Sequence, residues 1–309
     1  MSQQLLEGLD LPSQLLLQFA AQREHVPLRV AMSPPLEGDP FEAVEALQER
    51  GLVAPAEYPG VFSLTPMGYA LRDEIAARWP EVHQALRKLL VAHLDKQFAL
   101  GKNSRLLRAL VAIDRAHFVS ETAQVISDLD MPAPTGVDDM NTSAPHAIVS
   151  ILEAVAPRGG DRVLVCGAKG GVTLALATHM AGKEGYGVAL DWSPDTVAHA
   201  RRALSHYPEL DARTEVLERA DVTVGYEEGA PWQVVVVNGS TPKIPWPLIE
   251  QLDGNGGRML FFLQEPDSEG QSCYVLLKNG NVVRNEALSR FVFTPIFGRY
   301  GWDRVSEIH

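Results

Sequence analysis

The chain has 309 residues, 46% of them hydrophobic and 21% charged, enough for about two domains that bury real cores. Its net charge of −12 argues against a general nucleic-acid or anionic-membrane binder, because phosphate contact needs clustered Lys and Arg. Two cysteines, Cys166 and Cys273, form no C-x-x-C pair, so there is neither a disulfide framework nor a zinc signature and no metal is expected. The first residues, MSQQLLEGLD, lack the basic and apolar regions of a signal peptide. No run approaches the roughly 20 apolar residues of a membrane-spanning helix. The expected location is therefore cytoplasmic by default.

Residues 10–25 read as a helix with a broad apolar face, followed by a turn at Ser33-Pro34-Pro35. Asp39-Pro40 starts a second helix, with an acid at the N-cap and a proline at the first helical position. Phe41, Val44, Ala46 and Leu47 carry its apolar positions, and Gly51 is placed to end it. Two short apolar runs, Leu52-Val53 and Val61 to Leu64, flank a turn at Pro59-Gly60, and Thr65-Pro66 restarts a helix. The succession of a helix, Arg50-Gly51-Leu52-Val53, a small β-wing and Leu64-Thr65-Pro66-Met67-Gly68 resembles the end of a winged-helix domain. The likeness covers roughly residues 10–80.

Winged helices often bind DNA, but here the candidate recognition helix sets Glu42, Glu45 and Glu49 against one arginine, Arg50. Residues 1–100 hold 8 Lys and Arg against 13 Asp and Glu. Such a face repels phosphates, so DNA binding is disfavoured and a protein-facing or dimerising module is the better reading. Residues 80–113 are amphipathic, with Leu86, Leu89, Leu90 and Leu94 at helical spacing. His83 and His93 lie ten apart and share no metal-ligand spacing.

From about residue 145 helices alternate with apolar strands. Helix 146–156 precedes strand 161–166, and helix 171–182 follows. Strand 186–190 ends at Asp191, a helix runs from Ser193 to Tyr207, and further strands fall at 214–217 and 232–237. A short helix at 247–252 and strands at 258–263, 273–277 and 291–293 complete the pattern. This βαβ alternation implies a mostly parallel sheet covered by helices. The expected organisation is a winged-helix-like domain over 1–80, a helical connector over 81–113 and an α/β domain over 114–309.

In such a sheet a ligand sits at the carboxyl ends of the strands, near the switch in strand order. The loop after the first strand is Gly167-Ala168-Lys169-Gly170-Gly171. Its glycines let the backbone approach a ligand, and the next helix offers free N–H groups. Asp191, at the end of the second strand, suits a hydrogen bond to ribose hydroxyls, and Asp221, after the third, suits an adenine contact. A glycine loop followed by an acid serves dinucleotides and S-adenosylmethionine alike.

The order of segments is more telling. Arg115-Ala116-His117-Phe118-Val119 is similar to R-x-x-F-V, Asn141 to His146 (NTSAPH) to T-I-S-A-P-H, and Val163 to Gly167 (VLVCG) to V-L-E-I-G. Ala220-Asp221, Gly225 and Ala230-Pro231-Trp232 resemble G-D-G…G…A-P-[FY]-D. Leu248 to Leu252 with Gly256-Gly257-Arg258 resembles L-x-x-Q-L-x-x-G-G-R, and Arg290-Phe291-Val292 is close to R-F-V. Together, from about Arg115 to Pro295, they resemble the protein-L-isoaspartate O-methyltransferase family.

That resemblance implies an α/β fold, a Rossmann-like class I methyltransferase domain, beside a mainly helical winged-helix-like N-terminal domain. It implies methyl transfer from S-adenosylmethionine to an (iso)aspartyl carboxylate of a protein or peptide. Ser143 would hydrogen-bond the acceptor carboxylate, or cap the helix near Pro145. Gly167, Ala168, Lys169, Gly171, Asp191 and Asp221 would bind the cofactor. The N-terminal domain would select a substrate or serve a homodimer or protein partner. Two positions in the cofactor loop depart from the family, Val165 where it has an acid and Lys169 where it has a glycine, and its G-D-G segment stands here as Ala220-Asp221-Val222. The Lys169 ammonium either opposes the sulfonium or reaches the cofactor's carboxylate. A catalytically silent protein that acts as a binding or regulatory partner is the alternative.

Overall fold

The computed structural model describes residues 5–22, 26–27, 30, 33–36, 39–56, 60–266, 268–280 and 282–303, with backbone alone for 26–27 and 282–290. The chain divides into two units. One comprises Met1–Ala99, Ser120–Ala133 and Ser143–Pro145; the other comprises Leu100–Val119, Pro134–Thr142 and His146–His309.

The first unit holds helix α1 (Leu11–Gln22), the short strand β1 (Val26–Pro27), helix α2 (Pro40–Glu49), strands β2 (Val53–Pro55) and β3 (Val61–Leu64), and helices α3 (Pro66–Ala70), α4 (Arg72–Ala77) and α5 (Trp79–Phe98). The strands form an antiparallel sheet in the order β1-β3-β2. The expected cap at Asp39 is present, its carboxylate accepting the Phe41 N–H at 2.8 Å, and the helix expected to restart at Thr65-Pro66 is capped by the Thr65 hydroxyl, which accepts the Gly68 N–H at 3.1 Å; each satisfies a donor that the helix leaves unpaired. Pro59 lies outside the described residues, as does the end of the helix expected over 10–25.

Helix α1 packs on α2, α4 and α5 through Leu15, Leu16 and Phe19. On α2 the buried positions are Ala43, Val44 and Leu47, while Phe41, expected in the apolar set, is 63% exposed. On α5 the buried stripe is Val82, Leu86, Leu90 and Leu94, and Leu89 faces outward. A period of 3.6 residues puts positions four apart on one face and turns position 89 about 100° away from Leu90. His83 has a structural role: its Nδ1 lies 2.6 Å from the buried Asp128 carboxylate. The stretch expected as a connector, 81–113, is two helices, α5 in the first unit and α6 (Arg105–Ala112) in the second.

The second unit continues with the paired short strands β4 (Ala133–Pro134) and β5 (Asn141–Thr142) and helix α7 (Pro145–Val155), all but the first residue of β4 and of α7. Then come β6 (Arg162–Cys166), α8 (Val172–Met180), β7 (Tyr186–Asp191), α9 (Pro194–Leu204), α10 (Pro208–Asp211), β8 (Thr214–Glu218), β9 (Val234–Thr241), α11 (Trp246–Glu250), β10 (Asn255–Leu263), β11 (Gln271–Asn279) and β12 (Val282–Phe291). Strands β6 to β12 form one sheet in the order β12-β11-β10-β9-β6-β7-β8. Strands β6 to β10 run parallel, and β11 and β12 are antiparallel additions.

Near-continuous runs of Val and Leu build the parallel core because both faces are covered. Leu164, Cys166, Val188, Leu190, Val235 and Val237 lie in one cluster with Trp232 and Met259. Strand β7 pairs Gly187 with Val163 on β6. A side chain at Gly187 would lie 2.1 Å from the Thr178 hydroxyl, so this glycine lets α8 sit directly on the strand. Strand β12 begins at Val282, well before the expected Phe291. Its sequence, VVRNEALSRF, is too polar to read as a buried strand, but an antiparallel edge strand needs only a backbone partner, and β11 supplies it.

The chain moves outward from β6 through β7 to β8, then returns to the other side of β6 as β9. The carboxyl ends of β6 and β9 therefore flank a topological switch point, where open parallel sheets place their ligands.

Candidate active site

Strand β6 stops at Cys166, and the loop Gly167 to Gly171 turns the chain into α8. Gly167, Lys169, Gly170 and Gly171 all have positive φ, at 96°, 42°, 84° and 99°. Three are glycines, which adopt this conformation freely; Lys169 holds it at a cost on the order of 1 kcal/mol. A Cβ on Gly170 would lie 2.9 Å from the Phe118 carbonyl, 3.1 Å from Thr135 and 3.5 Å from Thr142. Two segments that drew attention in the sequence, around Phe118 and Thr142, are thus pressed against the loop. Arg115 joins them, donating through Nε and Nη2 to the Thr142 hydroxyl at 3.2 and 2.8 Å.

The two acids expected in the site differ. Asp191 is 3% exposed. Its carboxylate accepts the Ala168 N–H at 2.9 Å and the Ser193 N–H at 3.2 Å. Burial pushes its carboxyl above the ordinary carboxylate range, against the pull of those donors. Asp191 therefore clasps the glycine loop to the end of β7. Asp221 is half-buried; its Oδ1 accepts the Thr223 N–H at 2.9 Å and its Oδ2 the Arg299 N–H at 2.9 Å. The Tyr300 N–H donates to the Thr223 hydroxyl at 3.1 Å, so residues 298–300 close over the start of this turn.

Two buried groups beside the loop lack partners in a way that suits a zwitterion. Lys169 is 6% exposed, and its ammonium lies 5.0 Å from the centre of the Phe293 ring. Among the described residues it has no ion-pair or hydrogen-bond partner. Burial lowers its pKa to about 8, although Asp191 pulls the other way. Asn238, on β9, is 2% exposed; its Nδ2 donates to the Gly167 carbonyl at 3.1 Å, and its Oδ1 has no partner among the described residues. A cation and a lone acceptor beside one loop complement a carboxylate and an ammonium, the end groups of an amino acid. The donor set therefore fits the methionine end of S-adenosylmethionine. Neither Asn238 nor Phe293 stood out in the sequence. Their roles depend on β9 lying beside β6 and on residues 294–296 pairing back onto Ser240.

Ser143 and His146 are half-buried. Helix α7 starts at Pro145, so its flanking residue is Ala144, and Ser143 stands one position outside the cap. Ser143 belongs to the first unit, whereas its neighbour Thr142 belongs to the second. Other motif residues are structural. Gln251 donates to the Val224 carbonyl at 2.8 Å and accepts the Tyr226 N–H at 2.9 Å, while Arg258 pairs with Asp161 at 2.5 Å. Among the described residues no helix is long and apolar enough to cross a membrane.

A glycine loop at the β6/β9 switch, with one acid ending β7 and another after β8, places the domain in the class of Rossmann-like, S-adenosylmethionine-dependent methyltransferases. Its sequence relatives narrow this. Residues 86–301 match the model of the Protein-L-isoaspartate(D-aspartate) O-methyltransferase family. Protein-L-isoaspartate O-methyltransferase 1 of Archaeoglobus fulgidus is 30% identical over 72% of this chain and 97% of its own length. Protein-L-isoaspartate O-methyltransferase 2 of an Anaeromyxobacter species is 33% identical over 63% and 76%. The chain belongs to the protein-L-isoaspartate O-methyltransferase family.

Solved structures agree on the fold. One protein-L-isoaspartate O-methyltransferase superposes with a TM-score of 0.63 at 20% identity, covering 70% of this chain and 67% of its own. A putative one from Plasmodium falciparum, in complex with S-adenosyl-L-homocysteine, superposes with a TM-score of 0.57 at 18% identity, covering 69% and 96%.

Proposed function

We propose that this protein transfers a methyl group from S-adenosylmethionine to the carboxylate of an isoaspartyl or other abnormal aspartyl residue in a protein or peptide. Family membership across residues 86–301, with the motifs in order, is the observation that carries this reading. When bound, the cofactor supplies a methyl carbon on a sulfonium; a carboxylate oxygen bonds to that carbon as the carbon–sulfur bond breaks, leaving a methyl ester and a neutral thioether.

The acceptor is already ionised near neutral pH, so the chain needs no general base. Its residues orient the partners and keep water out. In this reading Gly167, Ala168 and Gly171 line the cofactor with backbone, and Asp191 holds the loop while offering remaining lone pairs to ribose hydroxyls. Asp221 and the backbone at 298–300 form the adenine corner. Ser143 donates its hydroxyl to the acceptor carboxylate, and His146 needs no part in the chemistry.

The first unit, with its helix–strand–helix–strand–strand order and exposed Glu42, Glu45 and Glu49, reads as a winged-helix-like module that selects a protein or peptide or pairs two copies of the chain. Cys166 and Cys273 are free and buried, in keeping with work in the cytoplasm. The test is transfer of labelled methyl to an isoaspartyl peptide, with the aspartyl peptide as control. Label on the isoaspartyl peptide, reduced tenfold or more in Ser143→Ala by loss of a charge-assisted hydrogen bond, is the expected result. Cofactor binding without transfer to any isoaspartyl peptide would refute it.

A further inference from the structure

We infer that Lys169 is the specificity residue for the cofactor's α-carboxylate, so that the amino-acid end is recognised through a buried cation carried by the glycine loop. This rests on the methyltransferase reading above and adds what that reading leaves open: how the loop holds the charged end of the ligand.

Three observations carry it. Lys169 sits in the middle of the loop with left-handed backbone, and two of its immediate neighbours' positions are fixed: Ala168 by Asp191 and Gly170 by the close approach of Phe118. The base of the side chain therefore has little freedom. Its ammonium is buried against the face of Phe293, which attracts a cation but cannot accept its hydrogen bonds fully. A buried charge without an anion is costly, and among the described residues no carboxylate lies within ion-pair distance of this one.

Asn238 points to the same ligand independently. Its Nδ2 is fixed as the donor by the Gly167 carbonyl, which leaves Oδ1 as a buried acceptor with nothing to accept from. The cofactor's α-ammonium is the donor that would satisfy it. The carboxylate matters for a second reason: an ammonium near a sulfonium is repulsive, and an anion between them turns that repulsion into attraction. Val165, buried and apolar at the end of β6, offers no charge of its own. The loop thus meets the ligand's amino-acid end with a cation.

Isothermal titration of the full chain tests this with three ligands: S-adenosylhomocysteine, its α-carboxamide, and methylthioadenosine, which lacks the amino-acid end. The wild type should bind S-adenosylhomocysteine about tenfold to a hundredfold more tightly than the carboxamide, the range expected of a charge-assisted contact. Lys169→Met should bind those two alike and keep the wild-type affinity for methylthioadenosine. Lys169→Gln, which keeps a polar end without the charge, should match Lys169→Met.

Either variant retaining the preference for the free carboxylate would overturn the inference. So would tighter binding of S-adenosylhomocysteine by Lys169→Met, which would mean that the lysine fills the cofactor's space, or an effect confined to the KM for the peptide. Failure of the wild type to bind any of the three would overturn the methyltransferase reading, and this inference with it.

Discussion

Asp191 and Asp221 follow neighbouring parallel strands, and the sequence suggests parallel duties for them, yet the structure uses them differently. Asp191 is sealed in and serves two backbone N–H groups, one in the glycine loop 23 residues earlier and one just after its own strand. Asp221 is half-buried and joins two stretches 78 residues apart, by accepting from Arg299. One acid shapes the glycine loop after β6, and the other ties down residues 298–300. An acid at a strand end can thus be part of the wall before it is a ligand contact.

The largest effect should come from Asp191→Ala. It strands the buried N–H groups of Ala168 and Ser193, at about 3 kcal/mol or more. Denaturant unfolding should show that loss, and S-adenosylhomocysteine binding should vanish with it. Asp221→Ala should cost about 1–2 kcal/mol, because water can reach part of that site. Equal losses for the two would erase the distinction drawn between them.

Gly298→Ala comes next. A Cβ there would lie 2.1 Å from the Asp221 Oδ1, at a φ of 145°, so about 2 kcal/mol should be lost. In the double variant with Asp221→Ala the steric part of that loss should be relieved. A double-mutant cycle that is additive within ~0.5 kcal/mol would mean that the two residues do not meet.

A smaller effect concerns pH. The folded-state pKa of Lys169 is about 8, against an ordinary value of 10.5. Between those values the unfolded chain holds the proton more tightly, so stability rises with pH across the window. The Lys169 contribution is complete above the upper value and is lost as pH falls through the lower one. Melting temperatures of wild type and Lys169→Met should therefore diverge as pH falls from 10.5 to about 8, with the variant more stable, and keep a constant gap below that. Parallel curves would mean that the ammonium is hydrated. Least of all should Ser143→Ala change stability, with a Tm within about 2 °C of wild type while methyl transfer falls.

Much of the second unit was legible because its strands are unbroken apolar runs and its loops carry short ordered motifs. The N-cap Asp39 and the helix start at Thr65 were legible too, since capping is decided by residues two or three apart. What escaped was long-range or polar. Strand β12 hides in a polar sequence because its partner is a backbone edge. Leu89 and Phe41 looked like core residues until the phase of each helix was known. Asn238 and Phe293 join the site only because β9 lies beside β6 and residues 294–296 return to Ser240. The clasp by Asp191 was invisible because its partners are backbone groups, which every sequence has.

The bond from Arg299 to Asp221 also bears on how the protein comes into being. A ribosome delivers residues 162–263, with all five parallel strands, well before it delivers residue 299. The nascent chain can therefore assemble its central sheet while the turn at Asp221 still lacks the backbone that closes it. The rim around Asp221 is then completed late in synthesis, and a message cut short before codon 299 would yield a sheet with that rim unfinished.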